Sequence, residues 1–391
     1  MPKSKSISLG SVAEITRGVS YNGEGLGMPG PLLVGMGNIS SGGEIDFSKA
    51  RSYGGRVRNE HFITPSDVAV VMTDLTQDGK LLGSPGVLPK GFKTEAVASH
   101  HLQVIRPGKL LHPGYLKYLL SGPEWASYVH GVSTGTTVRA VSSKDARSFT
   151  FDLPDLPNQI AIVGVLQSLD DKIASNIRLS RLLEAEARTA FESKFDVTPL
   201  STGFALMSLV DLNPKRDLKQ GVYSTYVGMT NLPTSSAIVE RWSKRDAGSG
   251  QRFINGDVLV SRITPCLENG KMAYVDFLNT DEVGWGSTEF LVFNGKNDVP
   301  KVWVYCMART EVFREFAIRN MNGTSGRQRC SANAFEQYFV STPNLDDIRS
   351  FGGRYSPSFD LMGKLRDENS KLRSTREFLI PLLLTARVEV Q

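Results

Sequence analysis

The stretch from Leu153 to Phe195 constrains this chain more than any other. Pro154 and Pro157 open it, and Pro157 suits a first helical turn, where a missing N–H costs nothing. Beyond it, Ile162, Leu166, Leu169, Ile173, Ile177, Leu183, Ala187 and Ala190 recur at three- and four-residue steps, with charged residues mostly on the faces between them. The spacing predicts one amphipathic helix of roughly 38 residues, about 57 Å long at ~1.5 Å per residue. Most helical stability comes from packing, so a stripe that long needs a comparably long partner.

The C-terminal region supplies a candidate. From Ser358 onward Leu361, Leu365, Leu372, Leu379 and Leu382 fall on one heptad seam, with Glu368 and Thr375 in its remaining positions. The expected contacts are Leu166, Leu169, Ile173 and Leu183 of the first helix against Leu361, Leu365, Leu372 and Leu379 of the second. An antiparallel pair is the expectation, and separate packing of each helix on its own domain is the alternative.

The rest of the chain reads as short strands and turns, and its order occurs twice at an offset of about 190 residues. Val34-Gly35-Met36-Gly37-Asn38-Ile39 returns as Val227-Gly228-Met229-Thr230-Asn231-Leu232. Asp67-Val68 opens one buried, β-branched run and Asp257-Val258 another; Ser99 before HLQVI returns as Ser287 before EFLVF. Gly135 to Arg139 (GTTVR) returns, with a gap, as Gly323 to Arg329 (GTSGRQR). The resulting expectation is an α+β chain with two similar α/β domains, 1–152 and 197–342, each followed by a helical segment, 153–196 and 343–391. If the helices pair antiparallel, the repeats are related by a pseudo-twofold axis, and the chain meets a partner at two separated places.

Composition narrows the class without naming a function. Hydrophobic content of 40%, charged content of 22% and a net charge of +5 are ordinary for a globular protein, and the mild basic excess permits nucleic-acid binding. Cys266, Cys306 and Cys330 are sparse and lack CxxC spacing, which argues against a disulfide framework or a zinc site and for a reducing, cytoplasmic compartment. There is no signal-peptide pattern and no apolar run of membrane-spanning length. The GxxxxGK[ST] phosphate loop and HExxH are absent, and no GxGxxG follows a strand and opens a helix. Asn213-Pro214-Lys215 lacks the second proline and aromatic residue of an amino-methyltransferase motif, and Glu268 with Lys271 reads better as a turn than as a nuclease site. His100 and His101 fall on alternate faces of an expected strand His100–Ile105, so they cannot share a metal.

Two loop pairs remain as candidate DNA contacts. One pair holds Thr136, Thr137 and Arg139 in the first repeat, and Thr324, Ser325, Arg327, Gln328 and Arg329 in the second. The other follows the buried strands and holds Thr73, Gln77 and Lys80, then Arg262, Asn269 and Lys271. Hydroxyls and cations suit phosphate oxygens, while Arg, Gln and Asn can read base edges bidentately. Solvated hairpin turns are the bland alternative, and similar loops at equivalent places in both repeats favour function. Three readings stay open on the residues alone: a DNA-recognition scaffold, a self-contained DNA-modifying enzyme, and an interaction protein that never meets nucleic acid.

Leu153-Pro154-Asp155-Leu156-Pro157-Asn158-Gln159, followed by Leu169-Asp170-Asp171-Lys172-Ile173, resembles the conserved helical region of the specificity (S) subunit of type I restriction–modification enzymes. The stretches DVLVSRITPCLENGK and REFLIPLLLTARVEV, and the duplicated order of domain and helix, share that resemblance. It implies two target-recognition domains, each reading half of a split, asymmetric DNA sequence, and two helices forming an antiparallel coiled coil that sets their spacing. It further implies double-stranded DNA, two methyltransferase (M) subunits and two restriction (R) subunits as partners. S-adenosylmethionine, ATP and Mg would act on those subunits, with no cofactor, no metal and no catalysis in this chain. One departure stands out: Ser341 to Pro357 keeps Pro343, lacks the glutamine, and contains Gly352-Gly353. A shorter second helix, over roughly 357–386 and of roughly 28 residues or about 42 Å, is the expectation, and with it unequal M docking sites.

Overall fold

Two asparagine/aspartate caps start the two long helices. The computed structural model describes residues 5–39, 43–75, 79–135, 138–324 and 326–385. Asp155 Oδ1 accepts the Asn158 N–H at 3.0 Å, and the first helix runs Leu156–Lys194, 39 residues. Asn344 Oδ1 accepts the N–H groups of Asp346 and Asp347, and the second helix runs Leu345–Leu384, 40 residues. Both caps satisfy donors that a helix start leaves open, and Asp346 and Asp347 add favourable charge to the positive end of the dipole.

The expectation of a short second helix is therefore wrong. Gly352, Gly353 and Pro357 lie inside the helix. Gly352 is there for packing: a Cβ would come within 2.1 Å of the Pro300 ring. The missing glutamine is also explained. Gln159, fully buried, accepts the His112 N–H and donates to the carbonyls of Leu110 and Pro154, which fastens the helix start to its loop. In the second helix Ile348, buried in apolar core, stands at the same distance from the cap.

The chain divides into two compact units, 1–171 with 372–391, and 172–371. In the first, a four-stranded antiparallel sheet runs Ala13–Arg17, Leu102–Pro107, Val68–Val71, Pro85–Gly86. A second sheet sets Leu32–Val34 parallel to Ala96–Ala98. Tyr115, Trp125, Phe149 and Phe151 pack with Ile162, Leu166, Ile380 and Leu383 of the long helices. The second unit repeats this plan. Its antiparallel sheet runs Val210–Leu212, Phe290–Gly295, Val258–Ser261, Met272–Tyr274, and Tyr223–Val227 lies parallel to Gly284–Gly286. Ala187, Phe191, Phe351, Tyr355 and Phe359 pack there with Trp303 and Tyr305.

The repeated sequence motifs have local reasons. In VGMGN and VGMTN, Asn38 and Asn231 each accept the N–H of the glycine three residues earlier at 2.9 Å, closing a 3-10 turn. Asp67 and Asp257 each accept a backbone N–H at 2.8 Å, from Thr64 and Ile254, in the turn before the buried strand. Burial raises the pKa of both, opposed by Arg106 beside Asp67 and by Asn294 and Arg216 beside Asp257. His100 and His101 precede their strand instead of starting it: the strand begins at Leu102, and the two rings sit 4.0 Å apart. Opposite strand faces thus do not separate them.

On both long helices the buried stripe carries polar residues. Leu166 and Ile173 are buried, and Leu169 and Leu183 flank them half-exposed. On the second helix Met362, Arg366, Asn369, Ile380 and Leu383 are buried, whereas Leu361 is 38% exposed and Thr375 is exposed. The seam thus lies one residue later than the leucine heptad; Leu365 is buried at its edge, and Leu372, Leu379 and Leu382 are half-buried. Asn176 donates to Asn369 and Glu368 at 2.9 and 2.8 Å in one unit, and in the other Asp170 binds Lys117, Tyr118 and Arg376. In the second unit Asn176 meets Asn369, Glu186 meets Arg354 and Lys194 meets Asp347, so first-helix residues advance as second-helix residues recede and the pairing there is antiparallel.

Candidate nucleic-acid interface

In each unit the fold brings the two candidate loops together through one piece of backbone. In the first, Thr73–Asp74 pairs antiparallel with Arg139–Ala140, and the Val141 N–H donates to the Met72 carbonyl at 2.9 Å. In the second, Ile263 bridges Arg329 antiparallel, and the Cys330 N–H donates to the Arg262 carbonyl at 2.8 Å. Ser142 and Ser331 then each cap the helical turn that follows. These bonds make Val141 equivalent to Cys330, hence Ala140 to Arg329 and Arg139 to Gln328. The sequence match of Arg139 with Arg329 is off by one residue, and on a strand one residue reverses the face.

In the first unit, Thr73 is half-buried, and Lys80 and Arg139 are exposed. Gly79, at φ +61°, sits with its Cβ direction 3.3 Å from Arg139 Cδ, so the two loops touch side by side. Gln77, Thr136 and Thr137 lie outside the described residues, as does Ser325 in the second unit.

In the second unit, Asn269, Thr324 and Arg327 are exposed and Gln328 is half-buried. Lys271 is occupied: its Nζ donates to the Met229 carbonyl at 2.9 Å, which ties the loop to the VGMTN turn. Arg329 is held by a residue that sequence reasoning missed. Its Nε donates to both oxygens of Glu289 at 2.9 Å, and Nη2 lies 2.8 Å from Oε1. Those bonds raise the Arg329 pKa above its ordinary value. Arg262 Nε lies 4.0 Å from the other Glu289 oxygen. The signal for Glu289 was its place two residues after Ser287, the serine shared by both repeats.

This arrangement presents cations, amides and hydroxyls on paired loops, which suits phosphate and base-edge contacts. Nowhere among the described residues do three or more His, Cys, Asp or Glu gather in a way that could hold a metal ion. Cys306 and Cys330 are buried, which pushes both thiols up, Cys330 to about 11. No described helix is long and apolar enough to cross a membrane.

No family model matches the chain. The EcoAI type I restriction enzyme specificity subunit of Escherichia coli is 23% identical over 194 residues, 48% of this chain and 32% of that protein. The EcoEI specificity subunit of Escherichia coli is 23% identical over 207 residues, 51% of this chain and 34% of that protein. The matched stretches thus span about a third of each relative's own length. The crystal structure of a type I restriction–modification S subunit from M. genitalium superposes with a TM-score of 0.54 at 12% identity, covering 98% of this chain and 97% of that one. The chain is similar to specificity subunits of type I restriction enzymes, in sequence over about half its length and in fold over nearly all of it.

Proposed function

We propose that this chain is the DNA-binding specificity subunit of a type I restriction–modification complex. Residues 1–152 and 197–342 act as target-recognition domains, each reading one half of a bipartite, asymmetric duplex sequence. The helical segments 153–196 and 343–391 pair as an antiparallel spacer, set the gap between the halves, and dock two methyltransferase subunits, to which two restriction subunits are added. Methyl transfer, translocation and cleavage belong to those subunits with their S-adenosylmethionine, ATP and Mg; this chain contributes recognition, in the cytoplasm. The observation that carries the reading is the loop pair that each unit builds with the same backbone bonds. Two such surfaces in one chain fit a target with two halves.

The test is selection of bound sequences from a random duplex pool, for the chain alone and with its methyltransferase partner. Two specified blocks separated by an unread gap of fixed length are expected, with affinity falling linearly in log salt as counterions are released. One contiguous block, or binding without sequence preference, would sink the reading.

A further inference from the structure

Three positions beneath the paired loops are equivalent in the two units by their backbone bonds, yet differ in chemistry. The Met72 N–H donates to the His101 carbonyl at 2.9 Å, and the Arg262 N–H donates to the Glu289 carbonyl at 3.0 Å. With Ala140 matched to Arg329, the set Met72, His101, Ala140 in one unit becomes Arg262, Glu289, Arg329 in the other. The second set places two guanidinium groups on one carboxylate, so it carries a net charge of about +1, because arginine stays protonated in proteins. The side chains are 26%, 23% and 41% exposed, respectively.

The orientation matters more than the charge. Glu289 occupies the Nε–Nη2 edge of Arg329 and leaves its Nη1–Nη2 end, where Nη1 makes a 3.2 Å bond to the Arg327 carbonyl. Among the described residues Arg262 Nε has no hydrogen-bond partner, although that atom is buried. Of the five N–H groups of Arg329 these bonds engage three, and a planar fork held at one edge with one N–H left on each Nη is pre-organised for a second acceptor pair. In duplex DNA the acceptor pair that matches it is O6 and N7 of guanine in the major groove.

We propose that Glu289 is a positioning residue that sets Arg329, with Arg262 beside it, to read a guanine in the half-target met by residues 197–342. The half met by residues 1–152 is not read this way, because Met72, His101 and Ala140 offer no such fork. The inference rests on the DNA-recognition reading above. Phosphate contact by the same arginines is the competing outcome, and it would carry no base preference.

The experiment compares wild type, Arg329→Lys and Glu289→Gln in sequence selection from the random duplex pool, with salt-dependent binding and thermal melting of each. Arg329→Lys keeps the charge and loses the fork. It should erase a guanine preference in one block, leave the other block unchanged, and weaken binding to the best site on the order of ten- to a hundred-fold. Glu289→Gln keeps the side-chain shape and raises the cluster's charge, so discrimination should fall while affinity for random DNA rises. A purely structural salt bridge would instead lower the melting temperature and weaken all sequences together. The inference is overturned if Arg329→Lys keeps the guanine preference, or if its loss of affinity is uniform across sequences. A wild-type chain that selects no sequence at all overturns the recognition reading and this inference with it.

Discussion

At the scale of single residues, buried polar groups decide more than the apolar ones. Gln159 makes three hydrogen bonds with zero exposure, so Gln159→Leu would leave one backbone N–H and two carbonyls without a partner. A loss of about 2–4 kcal/mol is expected, read as a lower urea midpoint at unchanged slope; an unchanged midpoint would mean that water replaces the clamp. Asp276 carries a different kind of cost. Burial raises its pKa to about 6 against the pull of the Arg366 guanidinium. A group raised in the folded state stabilises fully below its unfolded pKa, about 4, and that contribution is lost as pH climbs through about 6. From about pH 4 to about pH 7 the wild type should therefore lose up to about 3 kcal/mol relative to Asp276→Asn. A stability difference that stays flat over that range would show that the ion pair offsets burial completely. Arg366 also bonds Asp367 at 2.9 Å, so the variant does not strand the guanidinium.

At the scale of elements, the second long helix shows how local signals mislead. Two glycines and a proline read as an interruption, because each lowers helix propensity. Tertiary packing overrides them, with Ile348, Phe351, Tyr355 and Phe359 all buried through that stretch. The two glycines should then respond in opposite directions to alanine. At Gly352 a Cβ meets the Pro300 ring, and Gly352→Ala should destabilise by about 1–3 kcal/mol. At Gly353 nothing lies within 4 Å, and Gly353→Ala should stabilise by about 0.5–1 kcal/mol through helix propensity. Chemical denaturation of the two variants checks this, and equal effects would return the segment to a loop. The seam was displaced for a related reason. A heptad drawn through leucines passes over Arg366, Asn369 and Arg376, which are buried or half-buried because Asp276, Asn176 and Asp170 receive them. A polar residue at a seam position sets register at some cost in stability.

At the scale of the whole molecule, the proposed function makes a prediction about spacing. One heptad added to both helices keeps the seam and lengthens a pair by about 10 Å, at most about three base pairs of duplex. The two specified blocks should keep their sequences and the unread gap between them should grow, measured as binding to targets of stepped gap length. An unchanged best gap at full affinity would mean that something else is the ruler. The sequence by itself determined the duplicated order of strands, the VGMxN turns, the first helix and the loops worth watching. Those features rest on periodicity and turn chemistry, which act between residues close along the chain. Only the tertiary structure decided register: that Ala140, not Arg139, is the counterpart of Arg329 in the other repeat, that the helical seam runs through Asn369, and that Glu289 holds Arg329. Each is a choice between neighbouring residues of which one faces inward. The side chains that settle the choice come from strands and helices far away in the chain, so no local pattern records them.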